Sequence, residues 1–136
     1  MNAELQLRVA GALQIALAAL HVTFPRRFAW KEELGRLSLL NRQVFVVHTA
    51  FICLVLLMFG TLSALAPGAL LTPTPLSRLV LGGICAFWAL RLVVQWCVYD
   101  RSLWRGHAFN RNVHFAFTAL WLYFVLVYGS LALQQI

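Results

Sequence analysis

Acidic residues are nearly missing from this sequence: Glu4, Glu32, Glu33 and Asp100 are all that 136 residues contain. None of them falls inside a long apolar run, which leaves no paired carboxylates there for general acid–base work. Charge of either sign is scarce too, at 11% of residues against roughly 25% in soluble domains. Cys53, Cys85 and Cys97 are the only cysteines, and no C-x-x-C spacing occurs. A redox dithiol is therefore unsupported, and the three thiols are expected to be buried and structural. The four histidines form no H-x-x-x-H, C-x-x-C-H or E-x-x-H pattern, and none has a serine or cysteine as its sequence neighbour. Local motifs for metal binding or nucleophilic catalysis are absent. There is no internal repeat.

What the chain does have is apolar length. Hydrophobic residues make up 62% of it, gathered into runs too long for a soluble core and separated by short charged segments. The expected fold is an all-α integral membrane protein, an up-and-down bundle of four transmembrane helices in a single domain over residues 1–136. The net charge of +7 sits mainly in the connecting loops, where a topology signal belongs, so nucleic acid is not the expected partner.

The first span is expected at about 5–24. Its alanine richness and Arg8 would also suit a cleaved leader, but Glu4 weakens the positive start such a leader needs. Pro25-Arg26-Arg27 ends this span, and Trp30, Leu34, Leu37 and Leu40 then recur at helical spacing. That pattern predicts a short amphipathic helix at headgroup level with Trp30 as its anchor. The second span follows at about 41–65, with Ser38 or Asn41 as its N-cap and Pro67-Gly68 as its stop. Residues 66–77 read as a proline- and threonine-rich turn. Thr74-Pro75 is the expected cap and first position of a third span at about 75–99. Gly82-Gly83 within it is expected to allow close helix contact. The fourth span is expected at about 110–133.

Cation counts set an orientation. Arg26, Arg27, Lys31, Arg36, Arg42, Arg101, Arg105 and Arg111 lie beside one end of the spans, and only Arg8 and Arg78 beside the other. In a bacterial-type inner membrane this places both loops in the cytoplasm and both termini outside.

The same end collects polar groups: His21, Asn41, His48, Arg91, Gln95, Asp100, His107 and His114. Trp88, Arg91, Gln95 and Tyr99 are three or four apart and form one helical stripe. A cation inside a bilayer costs at least about 2.5–3.5 kcal/mol, so Arg91 needs a partner. The nearest acid along its own helix, Asp100, is about 13 Å away. Arg91, Gln95, Asn41 and Tyr99 are thus the expected holders of an anionic or carbonyl group such as a quinone carbonyl, a lipid headgroup or a haem propionate. His48 and His114 are the expected ligands of haem b or a transition metal, with His21 as a third. Interhelical hydrogen bonding is the plainer role for the same imidazoles. Two functions follow as expectations. One is a haem- or metal-binding redox protein, or a quinone-interacting one. The other is a non-catalytic small subunit or assembly factor of a larger membrane complex, or a homo-oligomer.

Overall fold

The computed structural model describes residues 2–104 and 108–136, except for the side chain of Arg101. His107 and Arg105, which the sequence places at the polar end, lie outside the described residues. The described residues are helical throughout their regular structure, with no strand. Four helices are long and apolar enough to cross a membrane: α1 (Ala3–His21), α4 (Leu39–Leu65), α6 (Pro75–Cys97) and α7 (Ala108–Leu133). Short helical turns fill the joints: α2 (Phe24–Arg27), α3 (Trp30–Glu33) and α5 (Pro67–Leu71). The chain divides into two compact units, 1–67 and 68–136, each built on one helical hairpin.

In the first unit α1 packs on α4. Asn2 caps α1, its Oδ1 accepting from Glu4 N at 3.0 Å. The face α1 buries is Leu7, Ala10, Gly11, Gln14, Leu17 and Ala18, and α4 buries Leu56, Gly60 and Ser63. The steps of three and four residues are those of one helical stripe. The two backbones come into contact where the stripes cross. A Cβ added to Gly11 would lie 2.6 Å from the Gly60 carbonyl oxygen and 2.7 Å from Ala64 N. One added to Gly60 would lie 2.9 Å from the Gly11 oxygen. Arg8 ties the far end, donating from Nη1 to the Ala64 carbonyl at 3.0 Å while pairing with Glu4 at 2.7 Å. An arginine on the last carbonyls of a helix satisfies acceptors that have no partner within the helix.

The expected single amphipathic helix after α1 is broken into pieces. Ala29 sits in the left-handed region at φ 47°, which separates α2 from α3, and Leu37 is extended. Only Trp30 and Leu34 remain in one turn, while Leu40 already belongs to α4. Trp30 turns edge-on to Phe45, ring centroids 4.9 Å apart. The N-cap of α4 is Ser38, whose Oγ accepts from Asn41 N at 3.4 Å, so Asn41 is a first-turn residue.

In the second unit α6 packs on α7. Buried Ser77, Leu81, Ile84, Trp88 and Gln95 face buried His114, Trp121, Phe124, Tyr128 and Leu131. The steps of four, three and seven resemble a coiled-coil seam. Cys85 Sγ reaches the Val125 carbonyl at 3.6 Å, and a Cβ on Gly129 would meet that sulfur at 3.2 Å. Gly82 and Gly83 make no such approach: within this hairpin an added Cβ meets nothing within 4 Å among the described residues. The expectation of close contact there is corrected. They lie off the buried seam, which passes through Leu81 and Ile84. The expectation of buried thiols also needs correcting: Cys53 and Cys85 are half-buried and Cys97 is exposed.

Thr74 and Ser77 form a reciprocal capping box with Pro75 in the first turn. Thr74 Oγ1 accepts from Ser77 N at 3.0 Å, and Thr74 N donates back to Ser77 Oγ at 3.0 Å. Gln135 closes the same corner: its Nε2 donates to the Leu70 carbonyl at 2.6 Å and its Oε1 lies 2.9 Å from Ser77 Oγ. Thr74→Ala is expected to cost about 0.5–2 kcal/mol, the usual worth of an N-cap. A detergent unfolding titration followed by circular dichroism reads this directly, and an unchanged midpoint would remove the cap from the account.

Candidate functional site

The site is built at the other end of the α6–α7 hairpin, from the stripe that starts at Trp88. One turn beyond Trp88, Arg91 donates from Nη1 to Gln95 Oε1 at 3.3 Å and from Nη2 toward the Tyr99 hydroxyl at 3.5 Å. Its guanidinium carbon also lies 5.3 Å from the Trp121 ring centroid and 5.5 Å from that of Tyr99. Two aromatic faces and two polar atoms thus take the place of a carboxylate. Each cation–π contact is worth about 0.5–1 kcal/mol when exposed and about 2 or more when desolvated. Against the cost of a cation in a bilayer, that is a partner set of the right size.

Gln95 carries the network across to α7. Its Nε2 lies 2.8 Å from His114 Nδ1, and both side chains are buried. The chemistry of Arg91 fixes the rest. A guanidinium can only donate, so the Gln95 atom that faces it is the oxygen, and the amide nitrogen faces the imidazole. That nitrogen donates, so Nδ1 accepts and the ring proton sits on Nε2. With Nδ1 accepting, Nε2–H is the donor that His114 has left. Rings crowd it: Trp104 at 4.4 Å, Trp96 at 5.0 Å and Phe115 at 5.5 Å between centroids.

An aromatic ladder stands beside these groups. Phe117 stacks on Trp121 at 5.3 Å and 18°, and Trp121 stacks on Trp88 at 4.8 Å and 17°. The indole N–H groups of Trp88 and Trp121 are buried and make no hydrogen bond among the described residues. A buried donor without a partner costs about 1–3 kcal/mol. The site is rich in donors and contains no acid.

Arg91, Gln95, Tyr99 and His114 are therefore brought together. Asn41, His21 and His48 belong to the first hairpin. His21 Nδ1 lies 2.7 Å from the Leu17 carbonyl, and His48 Nδ1 lies 2.8 Å from the Val44 carbonyl. A carbonyl only accepts, so both rings carry their proton on Nδ1, opposite to His114. Asn41 is exposed in the first turn of α4. Asp100 is exposed, and its carboxylate accepts from Ser102 N at 2.7 Å. Hydrogen bonds from the Ser102 side chain and backbone hold it below the usual carboxylate range. It is a loop-folding group, not a counter-ion for Arg91.

The expected histidine cluster finds no support, because no group of three or more His, Cys, Asp or Glu residues gathers among the described residues. The tautomers add a chemical reason against His114 as a ligand. Metal-bound imidazoles ordinarily donate their second ring nitrogen to an acceptor. The second nitrogen of His114 accepts from Gln95. Ligation through Nε2 would require the proton to move and the Gln95 amide to turn its nitrogen toward Arg91.

Sequence reasoning missed Trp121 as the chief aromatic partner of Arg91. Trp121 is seven residues after His114 and so shares its face, but that spacing alone does not single it out as a partner of Arg91. No family model, curated protein or solved structure matches the chain.

Proposed function

We propose that this chain is a multi-pass membrane protein that binds the hydrogen-bond-accepting head of an amphiphile at the Arg91–Gln95–His114 end of the α6–α7 hairpin. The observation that carries the reading is the donor-rich character of the site: a guanidinium without a carboxylate partner among the described residues, an imidazole Nε2–H, and aromatic walls. Such a site repels metal cations and favours anions and carbonyl oxygens. Of the ligands the sequence suggested, a quinone carbonyl and a lipid headgroup suit it, and haem or a transition metal does not. In this reading the four spans cross an inner membrane up and down. The loops rich in arginine face the cytoplasm and the termini lie outside, as the cation asymmetry favours.

The test is extraction of the purified protein with organic solvent, followed by mass spectrometry of what is released. The expected result is a stoichiometric amphiphile carrying a carbonyl or anionic head, present with the parent chain and depleted at least about ten-fold from Arg91→Gln, the effect of losing one charged hydrogen bond. A Soret band or bound metal that disappears in His48→Ala or His114→Ala would overturn the reading in favour of a redox centre. A ligand-free protein that co-purifies with a larger complex would instead support the role of a non-catalytic subunit.

A further inference from the structure

We infer that the amphiphile is a neutral, planar ring bearing carbonyl oxygens, of the quinone class, received by Arg91 and by the Nε2–H of His114. This rests on the binding function proposed above and narrows it. Three features of the hairpin suit a carbonyl ring.

The first is the state of the guanidinium. A phosphate is usually gripped by the two parallel N–H groups of an arginine fork. The fork of Arg91 is already divided, with Nη1 on Gln95 and Nη2 toward Tyr99. The Trp121 and Tyr99 rings stand close to the same group. Two of its five N–H groups are used by Gln95 and Tyr99, and a single further acceptor can be added without displacing either side chain.

The second is the fixed tautomer of His114. Its donor is the Nε2–H of a ring on α7, separate from the guanidinium on α6 and oriented through Gln95. Two separate single donors match carbonyl oxygens better than they match the close-set oxygens of one phosphate.

The third is the aromatic ladder. Phe117, Trp121 and Trp88 are stacked within 18° of parallel. Phe117 is half-buried at one end of the series. Flat electron-poor rings bind to such faces by offset stacking. The fatty tail of a lipid has no use for a stacked face, but a quinone ring does.

The experiment uses the full chain in phosphatidylcholine nanodiscs, titrated with a short-chain benzoquinone and read by tryptophan fluorescence. Four of the five tryptophans belong to the site, so occupancy is visible. Saturable quenching is expected, with the midpoint raised about ten- to a hundred-fold in Arg91→Gln and about ten-fold in His114→Phe. Arg91→Lys keeps the charge and loses the fork, and its midpoint should fall between those of the parent chain and Arg91→Gln. Parallel nanodiscs with rising phosphatidylglycerol should give no saturable response. If phosphatidylglycerol alone saturates and Arg91→Gln abolishes that response, the quinone assignment fails while the binding function stands. A linear, non-saturating quench that is the same in Arg91→Gln, with no response to phosphatidylglycerol, overturns both.

A ligand-independent arm uses nitrogen-15 NMR of labelled histidine. His114 should show a bare Nδ1 and a protonated Nε2. Gln95→Glu, whose carboxylate can only accept, should exchange the two. A bare Nε2 in the parent protein would remove His114 as a donor and sink the inference even if every variant folds.

Discussion

Replacing Gly11 by valine is expected to part α1 from α4. The added Cβ alone would lie 2.6 Å from one backbone atom and 2.7 Å from another, and neither the Gly60 carbonyl nor the Ala64 nitrogen can rotate out of the way. The helices must separate, and the burial of Leu7, Ala10, Leu17 and Leu56 is weakened with them. Overpacking of this kind costs about 1–3 kcal/mol for a small added group, and more for a branched one. Gly11→Ala and Gly60→Ala should fall in that range, and Gly11→Val above it. Gly82→Ala is the control: its Cβ enters open space within its own hairpin, and alanine outranks glycine in a helix by up to about 1 kcal/mol. The measurement is the fraction of sodium dodecyl sulfate at half-unfolding in mixed micelles. If Gly11→Ala and Gly82→Ala shift it equally, the backbone contact described here does not hold the hairpin.

The second large effect concerns Gln95. Gln95→Leu is expected to strand two groups at once, the acceptor nitrogen of His114 and one N–H of Arg91. Each stranded group costs about 1–3 kcal/mol when it stays buried. The double variant Gln95→Leu/His114→Phe removes both sides of the buried hydrogen bond and should recover much of the loss, because two apolar partners need no hydrogen bond. The same micelle titration, run as a double-mutant cycle, gives the coupling. Additive losses would mean that Gln95 and His114 act independently and that the relay from Arg91 to the imidazole is not a unit.

The four long helices were legible because apolar runs and proline stops are strong, local signals. The observed helices keep within about three residues of the expected bounds. Thr74-Pro75 was legible for the same reason, as capping is decided within four residues. The Arg91 stripe was legible as a problem: helical spacing showed a cation without an acid, and the structure supplies Gln95 and Tyr99 from that stripe. Trp121 was not legible as its partner, since choosing among the aromatics of another helix needs the register of α6 against α7. Gly11 and Gly60 were passed over for Gly82-Gly83 because adjacent glycines look like a motif. Close approach in fact depends on one glycine at the crossing point of each helix. The expected amphipathic helix begins at Trp30 as predicted but is cut short by the tight turn Leu34–Arg36, which contains Gly35, and by extended Leu37. The tautomers of His21, His48 and His114 were out of reach, because only neighbouring donors and acceptors assign a ring proton.

Arg8 and Glu4 bear on how the first helix would reach its place. In the proposed orientation the start of α1 is carried across the bilayer against a potential that acts on net charge, at about 2.3 kcal/mol per elementary charge per 100 mV. Joined at 2.7 Å one turn apart on the same helix, the two side chains would make that crossing as a zwitterion. The field then exerts no net pull on them. With acids counted at both ends, that far side carries Arg8 and Arg78 against Glu4, a net of one positive charge, and the other end carries eight cations against Glu32, Glu33 and Asp100, a net of five, so the asymmetry keeps its sign.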